Sequence, residues 1–151
     1  MATKYSKKRK KTNYYKDLYL QMQFIKKMFN VVECTVSRAN ELVCLLSITP
    51  TDLSSEYLIQ IRYKPPGNPK VFVLSPDIPY SSCIHMYSKD KSLCLYDHRV
   101  APWKESMKIA GTIIPWIIEW LVFYEYYVKT GVWKGILQIT RRQIMKSFEN
   151  Y

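Results

Sequence analysis

Four short runs rich in β-branched and aromatic residues follow one another through the first half of the chain: Val31 to Ser37, Leu42 to Ile48, Tyr57 to Tyr63 and Lys70 to Leu74. The breaks between them are short, polar or proline-bearing. A parallel pair needs a crossover of about a dozen residues or more, and none of these breaks has room for one, so the four strands are expected to form an antiparallel meander. In the third run Tyr57, Ile59, Ile61 and Tyr63 alternate with Leu58, Gln60 and Arg62, which predicts one covered face and one partly wet face. The segment from Lys64 to Pro69 carries three prolines and Gly67, and reads as a rigid turn.

Helical patterns flank this region. Tyr15, Leu18, Met22, Ile25 and Phe29 recur at three- and four-residue steps, while Lys16, Asp17, Gln21, Lys26 and Lys27 fall largely elsewhere. They predict an amphipathic helix from about Asn13 to Asn30, with Asn13 as its N-cap. Downstream, Met107, Ala110, Ile114, Ile117, Leu121 and Tyr124 predict a second helix from Glu105 to Val128, kinked at Pro115 and ended by Gly131. Ile136, Ile139, Ile144 and Phe148 allow a further short helix. The expectation is an α+β fold: N-terminal helix, four-stranded antiparallel meander, a long loop, and long C-terminal helices. A length of 151 residues suits one domain, taken as residues 13 to 151 behind a basic disordered tail over 1 to 12.

The formal charge of +11 is concentrated in that tail. Lys4, Lys7, Lys8, Arg9, Lys10, Lys11 and Lys16 fall before the first acidic residue and leave +4 for the body. A solvated tail is the plain reading; attraction to an anionic partner is the sharper one. With Tyr5, Tyr14 and Tyr15 the tail offers basic and stacking groups for a nucleic acid, but no recognition motif accompanies them, and no nucleic-acid partner is expected. The apolar window from Ile109 to Val128 has the length of a membrane span, yet Glu119, Glu125 and Pro115 lie within it, which favours a buried helix over a span. The lysine-rich start carries no secretory pattern, so a reducing cytoplasm is expected, with Cys34 and Cys44 as small buried hydrophobes.

Between strands and second helix lies an irregular excursion, Ser75 to Arg99, of a kind that compact domains keep mainly for function. The stretch from His85 to Trp103 gathers both histidines, Cys94 and a tryptophan. Cys83, His85, Cys94 and His98 are four soft donors that could make a zinc site, although the one-residue gap from Cys83 to His85 departs from ordinary ligand spacing. No metal or other cofactor is expected. Trp103, Trp116, Trp120 and Trp133 read as core or loop-packing residues.

The order of elements together with this loop resembles the ubiquitin-conjugating enzymes. That family has an N-terminal helix, a four-stranded meander, a proline-rich turn, a His-Pro-Asn motif, an active-site Cys followed by Leu, then a Trp and a central helix. Here Tyr57 to Val73 corresponds to strand, turn and strand; His85 precedes Cys94 by the family's nine positions; Leu93-Cys94-Leu95 matches the segment around the nucleophile; and Trp103 follows. His85-Met86-Tyr87 stands where His-Pro-Asn is expected, and Asp97 lies three places after Cys94 instead of the family's two. A closer likeness is to the conjugating-enzyme-like proteins of anti-phage cyclic-oligonucleotide signalling (CBASS) operons of the short type II form. It rests on His-x-Tyr, on Leu-Cys-Leu-Tyr, and on Trp-Ile-x-Glu-Trp-Leu-x-x-Tyr-Glu-x-Tyr-x-x-Thr-Gly-x-Trp-x-Gly from Trp116 to Gly135.

What this resemblance implies is a ubiquitin-conjugating-enzyme-like fold and a cysteine thioester chemistry. Cys94 would be the nucleophile, Tyr87 or a backbone amide would stand in for the missing asparagine at the oxyanion, and His85 would organise the loop; His98 is a local base or, on the plainer reading, has no role. The implied partner is a cGAS/DncV-like nucleotidyltransferase, joined through its C-terminal glycine and thereby regulated. The competing reading is a non-catalytic scaffold of the same fold that binds the synthase.

Overall fold

In a computed structural model the described residues are 13–99 and 101–135. They form α1 (Tyr15–Met28), β1 (Val31–Val36), β2 (Leu42–Ile48), β3 (Tyr57–Tyr63), β4 (Lys70–Ser75) and α2 (Ile113–Thr130), with 3-10 turns at Ser82–Ile84 and Ile109–Gly111. This is an α+β architecture. The expected basic tail and the helix expected around Ile136 to Phe148 lie outside the described residues, so α2 stands where long C-terminal helices were expected.

The sheet runs β1-β2-β3-β4 with every neighbouring pair antiparallel, as the short connections require. β2 and β3 pair without a slip from Leu42 opposite Tyr63 to Ile48 opposite Tyr57. Their inward rows, Leu42, Cys44, Leu46, Ile48 and Tyr57, Ile59, Ile61, Tyr63, are all buried. Alternation therefore passes directly into burial, because a period of two puts every second side chain on the core face. Cys34 and Cys44, expected as small buried hydrophobes, are both buried; they face each other across β1 and β2 with Cα atoms 4.1 Å apart and are paired as a disulfide.

α1 buries Leu18, Gln21, Met22 and Ile25 and leans on β1 and β2. Asn13 lies just before the helix, and its side chain accepts the Tyr15 N–H at 3.0 Å. Two positions exchange the places expected of them: Tyr15 is exposed and Gln21 is buried. Gln21 is tolerated inside because both ends of its amide are used, donating to the Met107 carbonyl at 2.7 Å and accepting the Ile109 N–H at 3.0 Å.

That contact also corrects the second helix. Met107 to Ile109 is held by Gln21, and Lys108 takes an extended conformation (φ −92, ψ 124), so α2 starts at Ile113 and not at Glu105. Pro115 then falls in the first turn, where backbone N–H groups have no intrahelical acceptor, and its position is that of a helix start with no ladder bond for the ring to break. At the other end Gly131 (φ 73) closes α2 through its N–H to the Tyr127 carbonyl at 2.8 Å. Glu125 faces the loop between β2 and β3, accepting from Ser54 at 2.7 Å and from the Tyr57 hydroxyl at 3.0 Å. Among the described residues, no helix is long and apolar enough to cross a membrane.

After β4 the 3-10 turn ends at His85, which takes the left-handed region (φ 54), and the chain doubles back on itself. Met86 bridges Leu93, the Tyr87 N–H reaches the Ser92 carbonyl, and the Lys91 N–H returns to the Tyr87 carbonyl, the last two at 2.9 Å. Asp90 pins the tip by accepting from the Ser92 hydroxyl at 2.6 Å and the Ser92 N–H at 2.9 Å, with Lys70 at 2.9 Å. The Leu93 N–H bonds the Val71 carbonyl, which docks this hairpin on β4. Finally the buried Trp120 indole N–H donates to the carbonyls of Ile84 at 3.1 Å and His85 at 3.3 Å, tying the loop to α2.

Two outcomes follow. Gln21→Leu leaves a buried carbonyl and N–H without partners and is expected to cost about 2 kcal/mol, or roughly 6 °C in Tm; a change under about 0.5 kcal/mol in urea unfolding would show that the clamp is dispensable. Hydrogen bonds from Ser92 hold the Asp90 carboxyl down to about 2 from an ordinary 3.8. A depressed acid stabilises the fold above its unfolded pKa and loses that contribution as pH falls. Wild type should therefore exceed Asp90→Asn by about 1 kcal/mol at pH 6 after solvent screening, with the gap closing between about pH 4 and pH 2; a gap that does not move with pH contradicts this.

Candidate active site around Cys94

Of the two cysteines outside the disulfide, Cys83 is exposed on the 3-10 turn and Cys94 is half-buried at the base of the returning arm. The Cys94 N–H donates to the His85 carbonyl at 2.9 Å, which sets the two residues opposite each other and gives their nine-residue separation a structural meaning. The Cys94 sulfur lies 3.8 Å from the Tyr96 carbonyl oxygen. Leu93 and Leu95 on either side are buried, so the backbone is anchored by its apolar neighbours and the thiol is left at the rim.

Three side chains cluster beside the loop that carries Cys94, Tyr87 and Tyr96 each meeting the third. Tyr87 comes from the outgoing arm, close enough to Cys94 for the thiol to act on the titration of its hydroxyl. The ring is 41 % exposed, yet the hydroxyl is crowded: burial, the bond to Cys94 and the nearby thiolate charge together push its pKa well above that of an ordinary phenol. Tyr87 therefore keeps its proton across the physiological range and remains a donor. Tyr96 is buried, and burial, followed by the charge of Cys94, raises it to about 12. Its ring lies between His98 at 4.8 Å, edge-on, and Trp116 at 5.3 Å.

His98 is the third. Its Nε2 lies 3.0 Å from the Tyr87 hydroxyl, so a residue to which the sequence gives at most a local-base role joins this group. The turn that carries it is set by Asp97, whose carboxylate accepts the Arg99 N–H at 2.8 Å and pairs with the Arg99 guanidinium at 3.2 Å, while its carbonyl takes the Ala101 N–H at 2.9 Å. These bonds from Arg99 hold the Asp97 carboxyl below its ordinary value. Asp97 thus acts on the shape of the turn. In the sequence the only signal for His98 is its position four after Cys94, which points nowhere until the turn after Asp97 brings it back towards the loop.

His85 contributes through its backbone. Its carbonyl receives both the Cys94 and the Trp120 N–H groups, and its ring packs beside Trp133 with centroids 5.6 Å apart. Cys83, His85, Cys94 and His98 do not converge as a ligand set: among the described residues, no three His, Cys, Asp or Glu side chains are grouped to hold a metal ion. Of the tryptophans, Trp120 is a loop anchor and Trp103 is buried edge-on against Tyr63 at 5.4 Å. Beside the site opens a cavity of about 350 Å³, lined by Lys70, Tyr87, Lys89, Leu95, Tyr96 and His98 among others.

A half-buried free thiol with a neutral phenol on the facing arm of its loop suits a nucleophile that attacks a carbonyl, with a donor for the oxygen. No curated protein matches the chain. One family model does, described as Type II CBASS E2 protein, and it matches residues 21–140, from α1 through the sheet, the Cys94 loop and α2. With most of its length accounted for in this way, the chain belongs to the type II CBASS E2 protein family of anti-phage defence.

Proposed function

We propose that this is a ubiquitin-conjugating-like acyl carrier with a ubiquitin-conjugating-enzyme-like fold over residues 13–151 and a basic tail over 1–12, working in the cytoplasm. Cys94 is its nucleophile. The thiolate attacks the activated carbonyl of a C-terminal glycine, an oxyanion forms and takes the Tyr87 proton as a hydrogen bond, and the leaving group departs to give a thioester. An amine or other nucleophile then receives the acyl group. The partner is a cGAS/DncV-like nucleotidyltransferase, whose cyclic-oligonucleotide synthesis the modification regulates.

The observation that supports this reading most is the half-buried free thiol of Cys94, held opposite His85 by a 2.9 Å backbone bond in a chain of the type II CBASS E2 protein family. A cysteine kept only for packing would be closed in by apolar neighbours, and this one meets a phenol held in its donor form. Tyr87 takes the place of the family's asparagine with a different donor on a longer side chain. His85 supports the loop through its carbonyl.

Co-expression with the nucleotidyltransferase of the same operon, followed by intact-mass analysis, tests the reading. Wild type is expected to carry the partner as a hydroxylamine-labile adduct, Cys94→Ser to hold a more slowly cleaved ester, and Cys94→Ala to carry none. A covalent species that persists in Cys94→Ala contradicts the assignment, and no adduct in any variant favours the scaffold. Tyr87→Phe is expected to slow acyl transfer by about 100-fold, the scale of losing one oxyanion donor; single-turnover rates that stay within twofold of wild type would remove Tyr87 from this role.

A further inference from the structure

The 3.0 Å contact between Tyr87 and His98 poses a question of proton count. A phenol has one O–H, and an imidazole Nε2 either donates or accepts. If the phenol donates to His98, it has no proton left for an acyl oxygen on Cys94. If His98 donates, the phenolic proton is free to point towards Cys94. The second arrangement is the one that lets Tyr87 act as an oxyanion donor, and it is favoured when negative charge develops on the Cys94 side, since that charge draws the phenolic proton and leaves the phenol oxygen as an acceptor.

We propose that His98 is a positioning residue for Cys94 acyl chemistry: its Nε2–H holds the Tyr87 oxygen so that the single phenolic proton is aimed at the acyl oxygen. The inference rests on the reading of Cys94 as an acyl nucleophile. An exposed histidine ordinarily samples several rotamers, but this one is restrained on three sides. Its ring stands edge-on to the buried Tyr96 at 4.8 Å, Tyr87 holds Nε2, and the Asp97 side chain and carbonyl fix the turn beneath it. The contact spans 11 residues of sequence, and both ends are anchored independently, Tyr87 by its backbone bonds to Ser92 and Lys91 and His98 by the Asp97 turn. Tyr87 and His98 also line one cavity together, so the pair is reached from solvent.

The test uses the full chain with Cys83→Ser in every variant, leaving Cys94 as the free thiol. The probe is a short peptide ending in glycine as the thioester of 2-mercaptoethanesulfonate. The Cys94 thiolate, its proton given to buffer, attacks the glycyl carbonyl carbon; a new C–S bond forms, the old C–S bond breaks, and mercaptoethanesulfonate leaves as a thiolate. Intact mass against time gives the rate at each donor concentration. His98→Ala is expected to lower the rate at saturating donor by about 10-fold, with the half-saturating concentration within about twofold of wild type, as for an interaction made only in the transition state. His98→Gln, whose amide can donate from a similar position, should recover most of that loss. In a Tyr87→Phe background the further change to His98→Ala should alter the rate by less than about twofold, because the two residues act as one unit. The same loss in both backgrounds, or no loss in His98→Ala, overturns the assignment while leaving the acyl-carrier reading intact. A wild type that iodoacetamide alkylates at Cys94 but that takes no acyl group from the thioester overturns the acyl-carrier reading and this assignment with it.

Discussion

The carbonyl oxygen of His85 is the acceptor on which the site hangs. It has two lone pairs, and the structure uses them for two different elements: the Cys94 N–H at 2.9 Å and the Trp120 indole N–H at 3.3 Å. The first bond closes the excursion after β4 into a hairpin and brings Cys94 back beside the start of its own loop. The second fastens that hairpin to the buried face of α2. Each bond is worth about 1 kcal/mol net, but their placement matters more than their sum, because they remove the freedom that a long irregular segment would otherwise have. The left-handed conformation of His85 follows from the same demand, since the carbonyl has to turn inward at the end of the 3-10 turn.

Around this acceptor several polar groups that enter the core are satisfied in pairs, while the buried Trp133 indole N–H has no hydrogen-bond partner among the described residues. Gln21 spans a carbonyl and an N–H of the segment before α2, Trp103 donates to the Tyr63 hydroxyl at 3.3 Å, and Glu125 accepts from Ser54 and Tyr57. Each joins elements far apart in sequence: α1 to the segment before α2, β3 to the loop after Cys94, α2 to the β2–β3 connection. The apolar rows of β2 and β3 and the face of α2 supply the burial, and these pairs define where the elements stop. One consequence reaches the site directly. The rigid base formed by Val71, Leu93, Leu95 and Trp120 leaves Cys94 at the boundary between core and solvent, where a thiol can be both held and reached.

The chemistry proposed for this boundary depends on a phenol where the ubiquitin-conjugating enzymes that the sequence resembles carry an amide. A phenol can ionise, and an ionised one would repel an oxyanion. The crowding of Tyr87 by burial and by Cys94 works against ionisation, so the same neighbour that needs the donor helps to keep it protonated. A phenol also brings a single proton whose direction must be decided, and His98 is in place to decide it.

Strand periodicity, the short breaks and the glycine at the end of α2 were legible in the sequence, because each is set by the geometry of near neighbours: a period of two exposes one face, a short break forbids a crossover, and Gly131 adopts a left-handed φ without strain. The facing of His85 and Cys94 was legible through their nine-residue spacing, which records the closure of the hairpin. The start of α2, the burial of Gln21 in place of Tyr15, the joining of Cys34 to Cys44 and the entry of His98 were decided only by the tertiary structure. The helical pattern from Met107 onward is real, but a glutamine 86 residues earlier in the chain takes the carbonyl that the helix would have used. His98 meets Tyr87 because a turn capped by Asp97 reverses the chain after Cys94, and contacts made by folding back depend on where both arms are anchored, which no local pattern encodes.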